Sequence, residues 1–359
     1  MTDPSTLRQI ISAIRPLEQD WIEKARQRTA QLVMPTRALG RLHDMAERFC
    51  AIQQTLSPTM ATKGVLVMAG DHGVAAEGVS AYPQEVTGAM VQTFLAGGAG
   101  INAIARHVDA QVWVVDMGII PYLDPRQMPS GHRLKITKVG RCTENFVKGP
   151  AMTRDQAEEA ILIGFKHAGE LFESGIQVLG TGDMGIANTT PSAAIGAVLT
   201  GASLDEMVGR GTGVDDAGLL RKKAVIKRGI EINQPDAADG VDVLTKVGGF
   251  EIGGIAGVIL AGAMHSRPVV IDGFISTAGA LIAQAICPHV VDYLFAGHQS
   301  EEPGHQVMLR RLGLKPILDL GMRLGEGTGG AMAMAVLEGA LKVFTNVMTF
   351  EEAGVAGKG

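Results

Sequence analysis

Hydrophobic residues along most of the chain form short continuous runs that end in glycine, and a longer segment with helical spacing follows each run. Runs rich in Val, Ile and Leu are typical of strands that are buried on both faces. Six such runs are strand candidates: GVLVMAG (64–70), QVWVVDMG (111–118), IQVLGTG (176–182), PVVIDG (268–273), VVDYLFAG (290–297) and PILDLG (316–321). Their alternation with helices predicts an α/β fold in which helices cover both faces of a parallel sheet.

Two regions depart from this alternation. Residues 6–55 have helical spacing that Pro16 and Pro35 interrupt, so we expect separate helices before the first strand. Residues 119–150 are polar, and we expect a long segment there with little core of its own. The helix after it should begin at Thr153, because Thr153 and Gln156 have the spacing of a capping box.

The composition argues against several classes of function. The net charge is −5 and aromatic residues make up only 4% of the chain, so we expect neither a basic surface nor stacking platforms for nucleic acid. The three cysteines lie far apart and form no CxxC pair, which argues against a redox motif or a cysteine-rich zinc site. The N-terminus lacks an apolar run of signal-peptide length, and the longest apolar runs, such as residues 252–264, are too short to span a bilayer. We therefore expect a cytoplasmic protein without membrane contact.

The loops that follow the predicted strands are the expected site of ligand binding. In an open parallel sheet, ligands bind beyond the carboxyl ends of the strands. In this chain the segment LGEGTGGA (324–331) places Glu326 between Gly325 and Gly327 after the last strand candidate. Glycine allows another molecule to approach the backbone closely. This pattern makes Glu326 a candidate for chemistry at the mouth of a pocket.

Two glycine-rich turns precede helices and are candidates for binding a phosphate. GTGDMG (180–185) matches the dinucleotide fingerprint, but no second strand ends in an acidic residue about 20 positions later. Such a turn at a helix N-terminus still suits a phosphate, to which Asn188 and Thr189 can donate hydrogen bonds. GRGTGVDDAGLLRKK (209–223) is the second turn, and either Lys222 or Lys223 can reach a phosphate from it.

Histidines and carboxylates lie together in two loops. AGHQSEEPGH (296–305) lacks the one-face spacing of a zinc motif, so we interpret it as a polar loop in which Ser300 is available as a cap or ligand donor. In GDHGV (70–74), Asp71 and His72 form either an oriented acid–base pair or an internal hydrogen bond that shapes the loop. We expect no metal site in either loop.

Six segments along the chain form an ordered set of motifs: AGDHGVAAEGVSAYPQEVT (69–87), GPAMT (149–153), GTGDMGIANTTPSAA (180–194), NQPDAADGVDVLTKVGGFEIGG (233–254), DGFISTAGAL (272–281) and MRLGEGTGGA (322–331). Six motifs in the right order are far more specific than any single one. Together they resemble the nicotinate-nucleotide–dimethylbenzimidazole phosphoribosyltransferase family, and the resemblance extends from the N-terminal helices to about residue 350.

The resemblance implies a reaction and an architecture. The family transfers phosphoribose from nicotinate mononucleotide to 5,6-dimethylbenzimidazole, giving α-ribazole 5′-phosphate and nicotinate in cobalamin biosynthesis, without a cofactor. It implies a Rossmann-like large domain (56–325), a small helical domain from residues 1–55 and 326–359, and a homodimer. Two alternatives stay open: an NAD-dependent oxidoreductase, which rests on GTGDMG, and a non-catalytic azole-binding protein, which rests on an apolar, glycine-rich pocket.

The resemblance also implies roles for individual residues. Glu326 corresponds to the general base, and Lys222 to a lysine near the phosphate. Asp183 corresponds to a second catalytic carboxylate, at a position where the family often has glutamate. Met90 stands where some members carry a polar residue, and AYPQEVT (81–87) corresponds to the wall beside the benzimidazole. The substrate-binding residues expected from the resemblance are Tyr82, Met90, Gly182, Met184, Gly185, Asn188, Thr189, Gly211, Lys222, Ser300, Leu324 and Gly325.

Overall fold

The computed structural model describes residues 6–356 except residues 125, 127, 129 and 132. Its main sheet has six strands in the spatial order β3-β2-β1-β4-β5-β6, and every neighbouring pair is parallel. A second, two-stranded parallel sheet contains β7 and β8. The strands are β1 (Lys63–Gly70), β2 (Ala110–Gly118), β3 (Leu134–Ile136), β4 (Val178–Met184), β5 (Val269–Ile271), β6 (Leu294–Ala296), β7 (His298–Ser300) and β8 (Leu318–Met322).

Fourteen α-helices lie among the described residues, together with 3₁₀ segments at Gly73–Glu77 and Pro288–Tyr293. None of these helices is long and apolar enough to cross a membrane. The α-helices are α1 (Leu7–Ala13), α2 (Gln19–Gln31), α3 (Arg41–Gln53), α4 (Val86–Leu95), α5 (Gly100–His107), α6 (Arg154–Glu173), α7 (Thr189–Thr200), α8 (Leu204–Met207), α9 (Asp216–Asn233), α10 (Gly240–Val247), α11 (Phe250–Met264), α12 (Phe274–Ile286), α13 (Pro303–Leu312) and α14 (Thr328–Asn346).

Helices cover both faces of the main sheet, as the sequence predicts. Successive side chains of a strand point to opposite faces, so Val65 and Val67 of β1 enter one core, while Leu66 and Met68 enter the other. The first core lies against α4, α5 and α14, and the second lies against α6 and α11. The α/β expectation is therefore confirmed, and β1 is buried along its whole length.

Five of the six strand candidates lie in the main sheet, and the sixth does not. Residues 316–321 contribute β8, which begins beside the end of β6, where the Ile317 N–H donates to the Ala296 carbonyl (2.9 Å). From there β8 pairs with β7 instead of extending the main sheet. This small sheet places residues 298–300 and the chain before Glu326 side by side at the carboxyl end of the main sheet.

The segment 119–150 contributes more to the fold than its polarity indicates, so that prediction is wrong. It carries β3, which forms one edge of the main sheet. Its apolar residues Ile119, Leu123, Phe146 and Val147 are buried. Phe146 lies so close to α9 that a Cβ at Gly229 would be 2.2 Å from its ring. By contrast, the helix break at Pro16 and the capping box at Thr153 are confirmed.

The N-terminal helices and the C-terminal helix pack together. Helix α3 contacts both α2 and α14, and Leu32 forms an isolated antiparallel bridge with Thr349. Helix α14 also packs against β4 and β5 of the main sheet. Because the N-terminal helices pack against α14, we propose that residues 1–55 and 326–359 form a small domain. Helix α14 then joins this domain to the large domain (56–325).

Candidate active site

Glu326 lies in the loop between β8 and α14, in a backbone conformation that glutamate rarely adopts. Its φ is +64°, and the flanking Gly325 and Gly327 have φ of +84° and +92°. A left-handed conformation at a residue other than glycine costs about 1–3 kcal/mol, and such strained residues are enriched at functional sites. The side chain is 5% exposed, and its Oε2 accepts a hydrogen bond from the Ile101 N–H at the start of α5 (3.0 Å). The carboxyl group is therefore held in one orientation.

Glycines around Glu326 allow its loop to lie directly on the sheet. A Cβ at Gly182 of β4 would be 2.5 Å from the Glu326 carbonyl oxygen. A Cβ at Gly327 would be 2.6 Å from Cγ1 of Val65 on β1. Both distances are shorter than real carbon contacts, so neither position accepts a larger residue without moving the loop. The glycine frame seen in the sequence therefore fixes the Glu326 loop against β1 and the carboxyl-terminal half of β4.

Asp183 lies beside the Glu326 loop, near the end of β4. A Cβ at Gly325 would be 3.3 Å from its Oδ2, and the Asn188 side-chain N–H donates to the same oxygen (3.0 Å). Burial, followed by the nearby charge of Asp272, raises the pKa of Asp183 well above its usual range. Burial also raises the pKa of Glu326. The two predicted catalytic acids are thus neighbours, and both protonate more readily than exposed carboxyl groups.

Asp272, which sequence reasoning did not single out, connects this loop to the main sheet. It follows β5 and is fully buried. Its Oδ2 accepts a hydrogen bond from the Gly327 N–H (3.1 Å), and its Oδ1 accepts one from the Gly330 N–H (2.9 Å). Nε2 of His298 lies 3.6 Å from Oδ1. The available sequence signal was the position of Asp272 at the end of the strand candidate 268–273.

Lys222 ends in a second, neighbouring group of polar residues. It is 1% exposed, and its Nζ donates to Oγ1 of Thr189, the first residue of α7 (2.6 Å). A Cβ at Gly211 would be 2.9 Å from Nζ. Burial lowers the pKa of Lys222 to about 8, and the Glu302 carboxylate partly opposes that shift. Glu302 in turn accepts a hydrogen bond from the Gly211 N–H (2.8 Å).

The loop 296–305 makes separate structural contacts. The Ser300 N–H donates to Nδ1 of His305 (2.8 Å), while the Ser300 hydroxyl accepts from the Glu302 N–H (3.3 Å). His305 Nε2 lies 2.8 Å from the Thr277 hydroxyl, and burial lowers the pKa of His305 to about 3. Across the part of the chain that the structure describes, no three His, Cys, Asp or Glu side chains are arranged to hold a metal ion.

His72 pairs with Glu251 of α11 rather than with Asp71. Its Nε2 lies 2.7 Å from Oε1 of Glu251, and both side chains are buried. Burial acts to lower the pKa of His72, but the adjacent Glu251 carboxylate outweighs it, and the pKa is raised. Asp71 accepts a hydrogen bond from the Ile120 N–H (2.7 Å) instead. Of the two interpretations of this loop, internal bonding describes the structure.

The segment that contains Tyr82 closes one side of the region. The Ala81 N–H donates to the Thr212 hydroxyl (3.0 Å), which joins this segment to the second glycine turn. The Thr87 hydroxyl accepts from the Ile186 N–H (3.1 Å), which joins α4 to the turn after β4. Tyr82 itself is 56% exposed. The aromatic ring therefore lies at the rim and is not part of the core.

The remaining predicted residues lie around the same end of the sheet. Leu324 is exposed beside α5, since a Cβ at Gly100 would be 2.9 Å from its Cδ2. Met90 is half-buried on α4 and packs against the core on that face. Met184 is half-buried at the end of β4, and Gly185 lies tightly against β1. Glu326 and Lys222 belong to two separate groups of contacts, which the turn from Asp183 to Thr189 connects.

Comparisons with known proteins agree with one another. A family model described as phosphoribosyltransferase matches residues 14–355. A nicotinate-nucleotide–dimethylbenzimidazole phosphoribosyltransferase of Geobacter sulfurreducens is 51% identical over 350 residues, which is 98% of both chains. One of Chloroflexus aggregans is 50% identical over 354 residues, which is 99% of both chains. A crystal structure of the enzyme of that name from Thermus thermophilus superposes with a TM-score of 0.89 at 43% identity, covering 95% of this chain and all of the other.

Proposed function

Because this chain belongs to the nicotinate-nucleotide–dimethylbenzimidazole phosphoribosyltransferase family, we propose that it transfers phosphoribose from nicotinate mononucleotide to 5,6-dimethylbenzimidazole. The products are α-ribazole 5′-phosphate and nicotinate, in a step of cobalamin biosynthesis. The observation that carries this proposal is a buried glutamate and a buried lysine at one end of the sheet, connected by the turn from Asp183 to Thr189. The comparisons give no support to the oxidoreductase or carrier alternatives.

In this proposal the 5′-phosphate binds in the group around Lys222. The N-terminus of α7 directs backbone N–H groups and the positive end of the helix dipole toward an anion. Lys222 Nζ already points to this terminus through its hydrogen bond with Thr189. A charged ammonium and backbone donors together suit a phosphate. We assign Gly182, Met184, Gly185, Asn188, Thr189, Gly211, Lys222 and Ser300 to the nucleotide.

Glu326 is the proposed general base. A benzimidazole nitrogen attacks C1′ of the ribose from the face opposite nicotinate, so the β-linkage becomes an α-linkage. The bond from C1′ to the pyridinium nitrogen breaks, and its electron pair neutralises the leaving nicotinate ring. The other ring N–H of the benzimidazole becomes acidic as the new bond forms, and the Glu326 carboxylate accepts that proton. A glutamate pKa raised by burial suits this transfer.

The proposed step needs no cofactor because its leaving group is already activated. Nicotinate in the mononucleotide is a pyridinium, so it already carries the activation that a leaving group needs. The protein's task is to hold two substrates in line, which itself removes much of the barrier. The rim residues Tyr82, Met90, Leu324 and Gly325 are the proposed contacts of the flat aromatic base.

Asp183 is proposed to offset positive charge that develops on the ribose. Asp183→Asn should lower kcat by about 10- to 100-fold, since a hydrogen bond or close contact to a charged group contributes ~1.5–3 kcal/mol. The variant keeps an amide oxygen that accepts from Asn188, so the turn should keep its structure. Steady-state kinetics on the folded variant test this role, and full turnover would show that Asp183 does not stabilise the charge on the ribose.

Nucleotide binding should weaken as the pH rises through 8. Lys222 has a pKa of about 8 in the free protein, so it is charged below that pH and neutral above it. Because a charged lysine holds the phosphate, kcat/KM for nicotinate mononucleotide should fall on the basic side with a limb near pH 8. Lys223→Met is the matched control, because Lys223 is paired with Asp205 and should leave that limb unchanged. A flat profile from pH 7 to pH 9 would contradict the assignment.

The reaction is tested by mixing purified protein with both substrates and separating the products by chromatography. Joint appearance of nicotinate and α-ribazole 5′-phosphate is the expected result, and turnover of neither substrate would reject the proposal. Fluorescence titration with NADH examines the oxidoreductase alternative and should give no binding. We further propose a homodimer, as the resemblance implies, and a location in the cytoplasm, as the composition indicates; sedimentation velocity tests the dimer.

A further inference from the structure

The segment after Glu326 is attached to the sheet by one buried carboxylate. Asp272 follows β5 and has no exposed surface. Its two oxygens accept from the N–H groups of Gly327 and Gly330, which lie one and four residues beyond Glu326. Because these N–H groups lie at the N-cap and in the first turn of α14, the carboxylate also stabilises the positive end of that helix. The position of Glu326 therefore depends on a residue 54 positions earlier in the chain.

His298 supports the same contact from the other side. Its Nε2 lies 3.6 Å from Oδ1 of Asp272, and a Cβ at Gly329 would be 1.9 Å from Cδ2 of the ring. The imidazole therefore packs against the first turn of α14. Burial raises the pKa of Asp272, while His298 and the N–H groups of that turn oppose the shift and favour the carboxylate.

The charges around Glu326 come from several elements. Asp272 approaches from the end of β5 and Asp183 from the end of β4, with Glu251 of α11 close to Asp183. His298 approaches Asp272 from β7, and α5 contributes the Ile101 N–H described above. Burial is the largest cause of the raised pKa of Glu326, the N–H bond opposes it, and the charge of Asp272 adds to it. Asp272 thus supports the loop through two hydrogen bonds and also acts on Glu326 through its charge.

We propose that Asp272, supported by His298, is a positioning residue for the reaction: it fixes Glu326 in line with the aromatic base and strengthens Glu326 as a proton acceptor. The inference rests on the proposed function, since it requires that Glu326 act as the general base. Asp272 contacts Glu326 only through the backbone of its loop and through its charge. No direct contact with substrate is part of the assignment.

Asp272→Asn tests this role through the pH profile of kcat/KM. The amide has the same shape but accepts through one oxygen only, and it carries no charge. Without that charge the pKa of Glu326 falls, so the acidic limb should move to lower pH. The maximal kcat should fall about tenfold, because a weaker base that is less well placed transfers the proton more slowly. A loss of folding alone would lower activity at every pH without moving the limb.

Asp319→Asn is the matched control, because Asp319 is an exposed residue of β8 whose side chain bonds to Gln299. The Asp319→Asn variant should leave the acidic limb of the kcat/KM profile at its wild-type pH. An unmoved limb in an Asp272→Asn variant that binds nicotinate mononucleotide normally would overturn the inference. Wild-type protein without any transfer would instead reject the proposed function.

Discussion

Glu326→Gln should lower kcat by about 10²–10⁴-fold, the usual contribution of a positioned general base, while dimethylbenzimidazole still binds. Glutamine keeps the size of the side chain and an oxygen that accepts the Ile101 N–H. It cannot take the proton that the attacking benzimidazole must release. Steady-state kinetics give kcat, and isothermal titration calorimetry gives the dissociation constant for the base.

The same chemical change at Glu301 provides the control for this experiment. The Glu301 side chain is 57% exposed and lies 3.9 Å from Arg323, so Glu301→Gln should leave kcat close to the wild-type value. Circular dichroism and thermal unfolding establish that both variants fold. A folded Glu326→Gln protein with nearly wild-type turnover would show that another group accepts the proton.

Lys222→Met should raise KM for nicotinate mononucleotide by about 10- to 100-fold, because a hydrogen bond to a charged group contributes ~1.5–3 kcal/mol. Methionine fills the same buried space but gives the phosphate neither a charge nor a donor. The effect on kcat should be smaller, since the lysine holds a part of the nucleotide that does not react. Initial rates over a range of nucleotide concentrations separate the two parameters.

Lys223→Met is the matched control for this change as well. It removes one lysine from the adjacent position of the same helix, where the side chain reaches Asp205 instead of Thr189. Its KM should stay at the wild-type value. An unchanged KM in a folded Lys222→Met protein would show that the phosphate does not bind in this group of residues.

The fold was predictable wherever the chain repeats one local pattern. Strands β1 and β2 are long apolar runs that end at glycine, so their boundaries were visible in the sequence. Strand β4 was also recognisable, although it lies two residues later than its candidate 176–182. Strand β3 spans only Leu134–Ile136, lies at an edge and is partly exposed, so no apolar run marks it. The pairing of β8 with β7 depends on a contact across the loop after β6, which no local pattern encodes.

The candidate site was predictable where a functional residue carries a local signature. Glu326 stands out because of its glycines, and Lys222 because it follows a glycine-rich turn. Asp272, Glu251 and Glu302 carry no such signature. They bond to partners 55, 179 and 91 residues away, so only the folded chain brings them together. After burial, the charge of Asp272 adds to the proton affinity of Glu326 and the charge of Glu302 adds to that of Lys222, and no local sequence pattern indicates either effect.

Nicotinate release, measured with and without dimethylbenzimidazole, tests the central claim most directly. If the base attacks C1′ while nicotinate leaves, nicotinate should appear only when the base is present, in amounts equal to ribazole phosphate. Nuclear magnetic resonance of the product should show the α-configuration. Nicotinate release at the same rate without the base, or a β-linked product, would contradict direct transfer at Glu326.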